Sequence, residues 1–440
     1  MGLPILNSNP GAAATLYLDF LGDFEPTWYW QYGDLFFYYR NVSTPAFDLD
    51  GNAESFNAKE QAAILNVWQR VAEDFAPFNI NVTTAYYGPF DNGVALKAVI
   101  GGFGEWMQAP VVGSWTGSPA SGISSIGSFH DDAPNVVFAC ASMITADFAV
   151  NFGPELANTV SHEAGHAFGL RHQSDFVTVN GKLTLQNQYS QGTDVWKPIM
   201  GNTLSNNRST WANGPVDTDG NQLFTEDELA IITAANNGFG YRRDDYGNTI
   251  ATATPLTVSN GIVSAQGIIG RMSDVDVFSF DTAGGKIALR VDVAAVGPNL
   301  DTKIELRDAS GVTIARADPT DDLGATIQTT FLRAGKYYLC VMSHGAYGDL
   351  GQYTISGSVT TALSAVPPPG GQLSLNNSAP LLGPTNILAG QTSQSIGAIV
   401  PPSSQPVPGA GPLPSTKSPT SGKTSVLAID QLFATGYRAF

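Results

Sequence analysis

The chain has 440 residues, enough for two or three domains, and carries 21 basic against 38 acidic side chains, a net charge of −17. An acidic surplus repels phosphate backbones and anionic lipid heads, so no nucleic-acid partner and no basic membrane-attachment patch are expected. Only 13% of residues are charged, while 47 glycines and 27 prolines favour short strands and many turns.

The first strand expected is Thr15 to Phe20, where apolar residues alternate, and a long aromatic loop, EPTWYWQYGDLFFYY, follows it. Lys59 to Phe75 sets Ile64, Trp68, Val71, Ala72 and Phe75 at helical spacing, and Pro77 stops that helix before the alternating Phe78, Ile80 and Val82. GVALKAVIGG and PNVVFACA read as further strands and lead to a second helix opened by Gly153 and Pro154. Residues 1–241 are therefore expected to form an α/β domain, a twisted sheet with a helix packed beneath it. Cys140 and Cys340 each fall inside an apolar run, which predicts two buried free thiols.

The second helix reads His162-Glu163-Ala164-Gly165-His166-Ala167-Phe168-Gly169-Leu170-Arg171-His172. Histidines four apart share one helix face, so both imidazoles can converge on one cation, and Glu163 can reach a ligand of that cation. Gly169 permits the left-handed backbone that ends a helix, which brings His172 back as a third nitrogen. Three imidazoles and an open fourth position are the pattern of catalytic zinc. Of five histidines in the chain, three lie between 162 and 172.

With that motif the sequence resembles the metzincin clan of zinc endopeptidases. The resemblance implies zinc ligands at His162, His166 and His172, and Glu163 as the general base toward the attacking water. It also implies a methionine-containing turn beneath the metal, for which Pro198-Ile199-Met200-Gly201 is the candidate. Asn202 stands where some clan members carry an additional tyrosine ligand, so no tyrosine ligand is assigned. An edge strand beside the metal would pair with an extended substrate, supplied by PNVVFACA or the segment before it.

Farther along, Asp217, Asp219, Asn221, Thr225 and Glu228 fit an EF-hand-like calcium loop, with Gln222 in place of the usual glycine. Thr225 with Glu228 reads equally as a capping box opening a helix over 226–235. Residues 242–360 alternate apolar and polar positions between Asp/Gly turns, the signature of an antiparallel β-sandwich. This stretch resembles the bacterial pre-peptidase C-terminal (PPC) domain, found at the C-terminal end of secreted peptidases. Asp244, Asp274, Asp276 and Asp301 could gather calcium, as the resemblance implies for some relatives.

Residues 361–424 are rich in Pro, Gly, Ser and Thr and read as a flexible linker. Residues 425–440 regain apolar side chains and form the end of an expected disordered tail. No run of eighteen apolar residues occurs, so no membrane span is expected, and the first residues lack a signal-peptide pattern. The whole reads as a secreted zinc-dependent endopeptidase acting on protein or peptide substrates, with Zn²⁺ and a possible Ca²⁺ requirement. The alternatives are a surface or matrix binding protein with an inert zinc domain, and a zinc hydrolase of non-peptide substrates. The oligomeric state is not legible.

Overall fold

A computed structural model describes residues 2–32, 35–108, 120–131, 133–144, 152–202, 208–217, 223–361 and 428–429. Two compact units divide the chain, Met1–Ala362 with Thr424–Phe440, and Leu363–Lys423. The expected linker and tail lie outside the described residues, apart from 361 and 428–429.

In chain order the first part contains β1 (Ala14–Asp19), β2 (Asp23–Tyr32), β3 (Leu35–Thr44), α1 (Ala58–Asp74), β4 (Ile80–Thr83), β5 (Ala95–Ile100), β6 (Gly122–Ser124), β7 (Val136–Ala139), α2 (Ala141–Ile144) and α3 (Phe152–Ala167). Strands β4, β1, β5 and β7 lie side by side and parallel, and β6 joins β7 antiparallel. A parallel sheet must be covered on both faces. On one, Leu16, Leu18, Ala98, Ile100 and Val137 pack against Ile64, Val67 and Val71 of α1 and Leu156, Val160 and Ala164 of α3. Asn57 caps α1, accepting from the Glu60 amide while the Glu60 carboxylate accepts from the Asn57 amide at 2.7 Å.

The other face carries Val99, Ile123, Val136 and Phe138, and the aromatic stretch covers it. Sequence reading expects a loop there, but the stretch is the antiparallel hairpin β2–β3. Trp28 and Tyr39, paired neighbours across the hairpin, turn inward; Trp28 meets Phe138 edge-on at 5.5 Å and its indole nitrogen donates to the Val136 carbonyl. Lys97 of β5 clamps the hairpin through Asp23 and Glu25, at 2.7 and 2.8 Å. The hairpin forms because this apolar sheet face needs a cover, a tertiary demand that overrides the local reading.

After α3 come the hairpin β8 (Asp175–Val179) and β9 (Lys182–Asn187), the parallel pair β10 (Trp196–Pro198) and β11 (Arg208–Thr210), the hairpin β12 (Asn213–Asp217) and β13 (Leu223–Asp227), and α4 (Glu228–Ile232). This second hairpin falls on the candidate calcium loop. Asn213 pairs with Asp227 and Asp217 with Leu223, so Asp217 lies four ladder positions, roughly 14 Å, from the end that leads into Glu228. Asp219 and Asn221 lie outside the described residues. The helix starts at Glu228, not 226. Its cap is Asp227, which accepts from the Ala230 amide, while Thr225 pairs with Pro215 within the ladder.

The remaining strands build two five-stranded sheets. Here β14 (Thr254–Pro255), β17 (Val275–Thr282), β22 (Gly335–Ser343), β19 (Thr302–Arg307) and β20 (Thr313–Ala317) form one, in that spatial order. The other runs β15 (Thr257–Ser259), β16 (Ile262–Ile269), β23 (Gly351–Val359), β18 (Gly285–Val293) and β21 (Ala325–Leu332). All pairings but β14 with β17 are antiparallel, and Phe278, Leu289, Val291, Ile304, Leu339 and Ile355 fill the space between the sheets. The result is a β-sandwich.

Sequence reading places a boundary at 241/242, yet the two parts form one compact unit. Their junction is polar and buried. Glu73 at the end of α1 accepts from the Gln352 side-chain amide at 2.9 Å, and Asn299 donates to Asp74 at 2.8 Å. Arg208 donates to Asp349 and to the Asn299 carbonyl. Burial pushes Glu73 up to about 7 and Asp74 up to about 7, against hydrogen bonds that favour their charged forms.

Candidate metal centre

Helix α3 carries His162 and His166 one turn apart, and its ending delivers the third histidine. Gly169 has φ +106°; the Gly169 amide donates to the His166 carbonyl and the Leu170 amide to Gly165, the paired bonds of a Schellman stop. The chain then reverses, and the Gln173 amide donates to Met200 at 2.7 Å, which holds His172 over the helix. His162, His166 and His172 are all buried, with one ring nitrogen from each within 4.8 Å of the others.

The ring orientations follow from the backbone around them. His162 Nδ1 meets the Ile199 carbonyl at 2.7 Å and His166 Nδ1 meets the Leu170 carbonyl at 2.8 Å. A carbonyl only accepts, so each Nδ1 is the protonated nitrogen and each Nε2 offers a lone pair inward. His166 Nε2 stands 3.1 Å from His172 Nε2. Two ligand nitrogens on a tetrahedral zinc, with bonds of 2.0–2.1 Å, stand roughly 3.3 Å apart. The donor set therefore fits zinc in number, element and spacing.

Met200 is fully buried, in a turn closed by the Gly201 amide donating to Pro198 at 3.0 Å. Its sulfur occupies the space a Cβ on Gly165 would need, directly beneath the histidine-bearing turn. Glu163 is buried against β6, where a Cβ on Gly122 would collide with its carboxylate. Burial and this carboxylate push the Cys140 thiol up, which leaves Cys140 an inert, protonated neighbour; both cysteines are free.

The structure also brings in a residue that sequence reasoning did not single out. The Tyr189 ring lies 4.1 Å from that of His172 and 6.2 Å from that of His162, centroid to centroid. No motif spacing links position 189 to the histidines. Its neighbour Ser190 is pinned by donating to the Gln173 carbonyl, one residue past His172. Asn202 instead hydrogen-bonds Gln191.

Of the four sandwich aspartates, Asp244, Asp274 and Asp276 gather within 4.8 Å. Asp301 does not join them; its charged neighbours are Arg208, Asp349, His344 and Asp318. Asp274 Oδ1 and Asp276 Oδ1 are buried with no hydrogen-bond partner, and burial together with the adjacent carboxylates pushes Asp276 up to about 8. Oxygen-only ligands with unspent acceptor capacity suit a hard divalent cation. A further group, Asp48, Asp50 and Glu60, also gathers, but Asp48 and Glu60 accept from local amides. No helix among the described residues is long and apolar enough to cross a membrane.

No protein-family model matches this chain, and no curated protein matches it by sequence. Among solved structures it is similar to the pre-peptidase C-terminal domain of a collagenase from Bacillus anthracis, at 17% identity over 27% of this chain and 98% of that one, TM-score 0.20. PliG of Aeromonas hydrophila, a periplasmic inhibitor of g-type lysozyme, is similar at 16% identity over 25% of this chain and 96% of its own, TM-score 0.20. The mitogen derived from Yersinia pseudotuberculosis is similar at 14% identity over 24% and 91%, TM-score 0.18. Likeness at that level carries no argument, and the sandwich stands on its own strand pairing.

Proposed function

We propose that the protein is a secreted zinc-dependent endopeptidase of metzincin type, with a PPC-like sandwich fixed to its catalytic half. The observation that carries this reading is the convergence of three imidazole nitrogens beside a buried carboxylate, one residue from the first of them. Zinc, when bound, supplies Lewis-acid polarisation and brings the pKa of water down to about 7. His162, His166 and His172 would hold it, with the Ile199 and Leu170 carbonyls fixing the rings of the first two. Glu163 takes the proton from the attacking water and returns it to the leaving amine. The side of β6 away from β7, directly against Glu163, would align an extended peptide by main-chain hydrogen bonds. The extracellular setting rests on the resemblance of residues 242–360 to domains of secreted peptidases.

Hydrolysis of casein and of an extended fluorogenic peptide tests the reading. Turnover should vanish when zinc is chelated and return when it is restored. Cleavage indifferent to the chelator, or ester hydrolysis without peptide hydrolysis, overturns it.

Three buried carboxyls make stability depend on pH in a defined sense, and calcium at Asp244, Asp274 and Asp276 would add to it. Glu73, Asp74 and Asp276 titrate at about 7, 7 and 8 in the folded state, above the ordinary carboxylate range near 4. The folded chain thus keeps protons the unfolded chain releases; this contribution is complete below about pH 4 and is lost as pH rises through 7 to 8. Melting temperature in calcium-free buffer should fall from pH 5 to 8.5. Saturating calcium should raise it more at pH 8 than at pH 5, because a protonated carboxyl is a poor ligand. An increment equal at both values would remove calcium from this cluster.

A further inference from the structure

We infer that the chain's own C-terminal segment is a strand ligand of the edge beside Glu163 and competes there with extended peptides. The inference rests on the peptidase reading for its consequence, though not for its geometry. Strand β6 has β7 on one side only. The Cys140 amide donates to the Ser121 carbonyl at 2.7 Å, so by antiparallel alternation residues 121 and 123 direct their backbone groups to β7. Gly122 and Ser124 direct theirs outward. An outward row of N–H and C=O groups is a template for another strand.

Strand β24 (Ala428–Ile429) is the strand that takes it, antiparallel, with Ala428 opposite Ser124 and Ile429 opposite Ile123. From Ala428 to Ile429 the segment advances toward Gly122, the residue whose backbone abuts Glu163. Beyond β6 the chain follows the histidine-bearing end of α3, with the Gly127 amide donating to His166 at 2.9 Å and Phe129 to Ala167 at 3.1 Å. The hairpin borders the same edge, where the Ser125 hydroxyl donates to the Tyr29 carbonyl. Ala428 and Ile429 thus lie on the edge an extended substrate needs, ordered toward Gly122 and the Glu163 carboxylate.

The sequence suits that part. After the Pro-, Gly- and Ser-rich stretch 361–424, residues 425–440 (SVLAIDQLFATGYRAF) restore Val426, Leu427 and Ile429, side chains at home in strands. Since the segment belongs to the same chain, its pairing does not depend on protein concentration. A cut within 361–424 turns it into a dissociable peptide, and the edge opens to substrate.

Ala428→Pro tests this in the full, zinc-loaded chain, because it deletes the amide facing Ser124; Ala428→Val keeps that amide. Hydrogen exchange of residues 122–124 and initial rates on an extended peptide are the readouts. Ala428→Pro should speed exchange there by about tenfold and raise the rate by a similar factor, the scale of one or two lost ladder hydrogen bonds. Ala428→Val should resemble the parent, and a synthetic 425–440 peptide should restore protection and suppress the rate competitively. Unchanged exchange in Ala428→Pro overturns the inference, as does faster exchange without a higher rate in a chain that cleaves peptides. If neither chain cleaves any peptide while exchange still rises, the strand pairing stands and the peptidase reading fails alone.

Discussion

Glu163→Gln is expected to lower peptide hydrolysis by about 10²–10⁴-fold with zinc still bound, the range a positioned general base contributes. The amide keeps the size of the carboxylate, so packing against Gly122 survives and all three imidazoles remain. His172→Ala should fail in a different way. It deletes one of the three proposed ligands, and since even outer partners of metal-binding histidines are worth 10–100-fold in affinity, zinc binding should fall by at least roughly a hundredfold. Metal content after dialysis against a competing chelator, measured beside activity, separates the two defects. Near-normal hydrolysis by Glu163→Gln, or parental zinc affinity in His172→Ala, would sink the assignment of roles.

Trp211→Ala carries the largest expected loss of stability, about 3–5 kcal/mol. Trp211 is buried between Phe75 and Phe78, with ring centroids at 5.4 and 6.2 Å, and its indole nitrogen donates to the Asp74 carbonyl at 2.7 Å. It also lines the space above Gly165, where the Met200 sulfur sits. Truncation leaves a cavity and strands the end of α1, close to the turn that supports His162. Denaturant unfolding gives the free energy; a loss under about 1 kcal/mol would show that neighbouring side chains close the gap.

What the sequence made legible was local. His162, Glu163 and His166 lie on one helix turn, and Gly169 announces the stop that returns His172, so the cluster follows from helical geometry. Met200 was found through the metzincin resemblance, in the turn-like run Pro198-Ile199-Met200-Gly201. The α1 boundaries came within a residue, because the apolar spacing from Ile64 to Phe75 and the stop at Pro77 are local signals. What depended on distant partners was not legible. The aromatic stretch read as a loop because nothing nearby reveals the naked sheet face that makes it a hairpin. Asp217 to Glu228 matched a loop by spacing, while the fold puts Asp217 in a strand ladder and Glu228 at the start of the helix that follows. Tyr189 carries no pattern at all, and its place over His172 is fixed by pairing between its neighbours and the strand past that histidine. Glu73 and Asp74 look like solvated residues at a helix end until Asn299 and Gln352 cover them.

The hydrogen bonds that close over those two carboxylates join residues 225 to 279 positions apart. A ribosome adds residues in order, at 5–20 per second, so roughly 15 to 55 s separate the emergence of Glu73 from that of Gln352. Once Ser161, the residue before the first histidine, has been made it can reach Asp74, but until Asn299 follows Asp74 lacks its other side-chain anchor. The histidines are therefore all translated well before the frame that aligns them is complete. A nascent chain thus passes about 180 of its 440 residues of synthesis, from His172 to Gln352, with the three histidines present and this junction still open, and the sandwich sets the moment at which it closes.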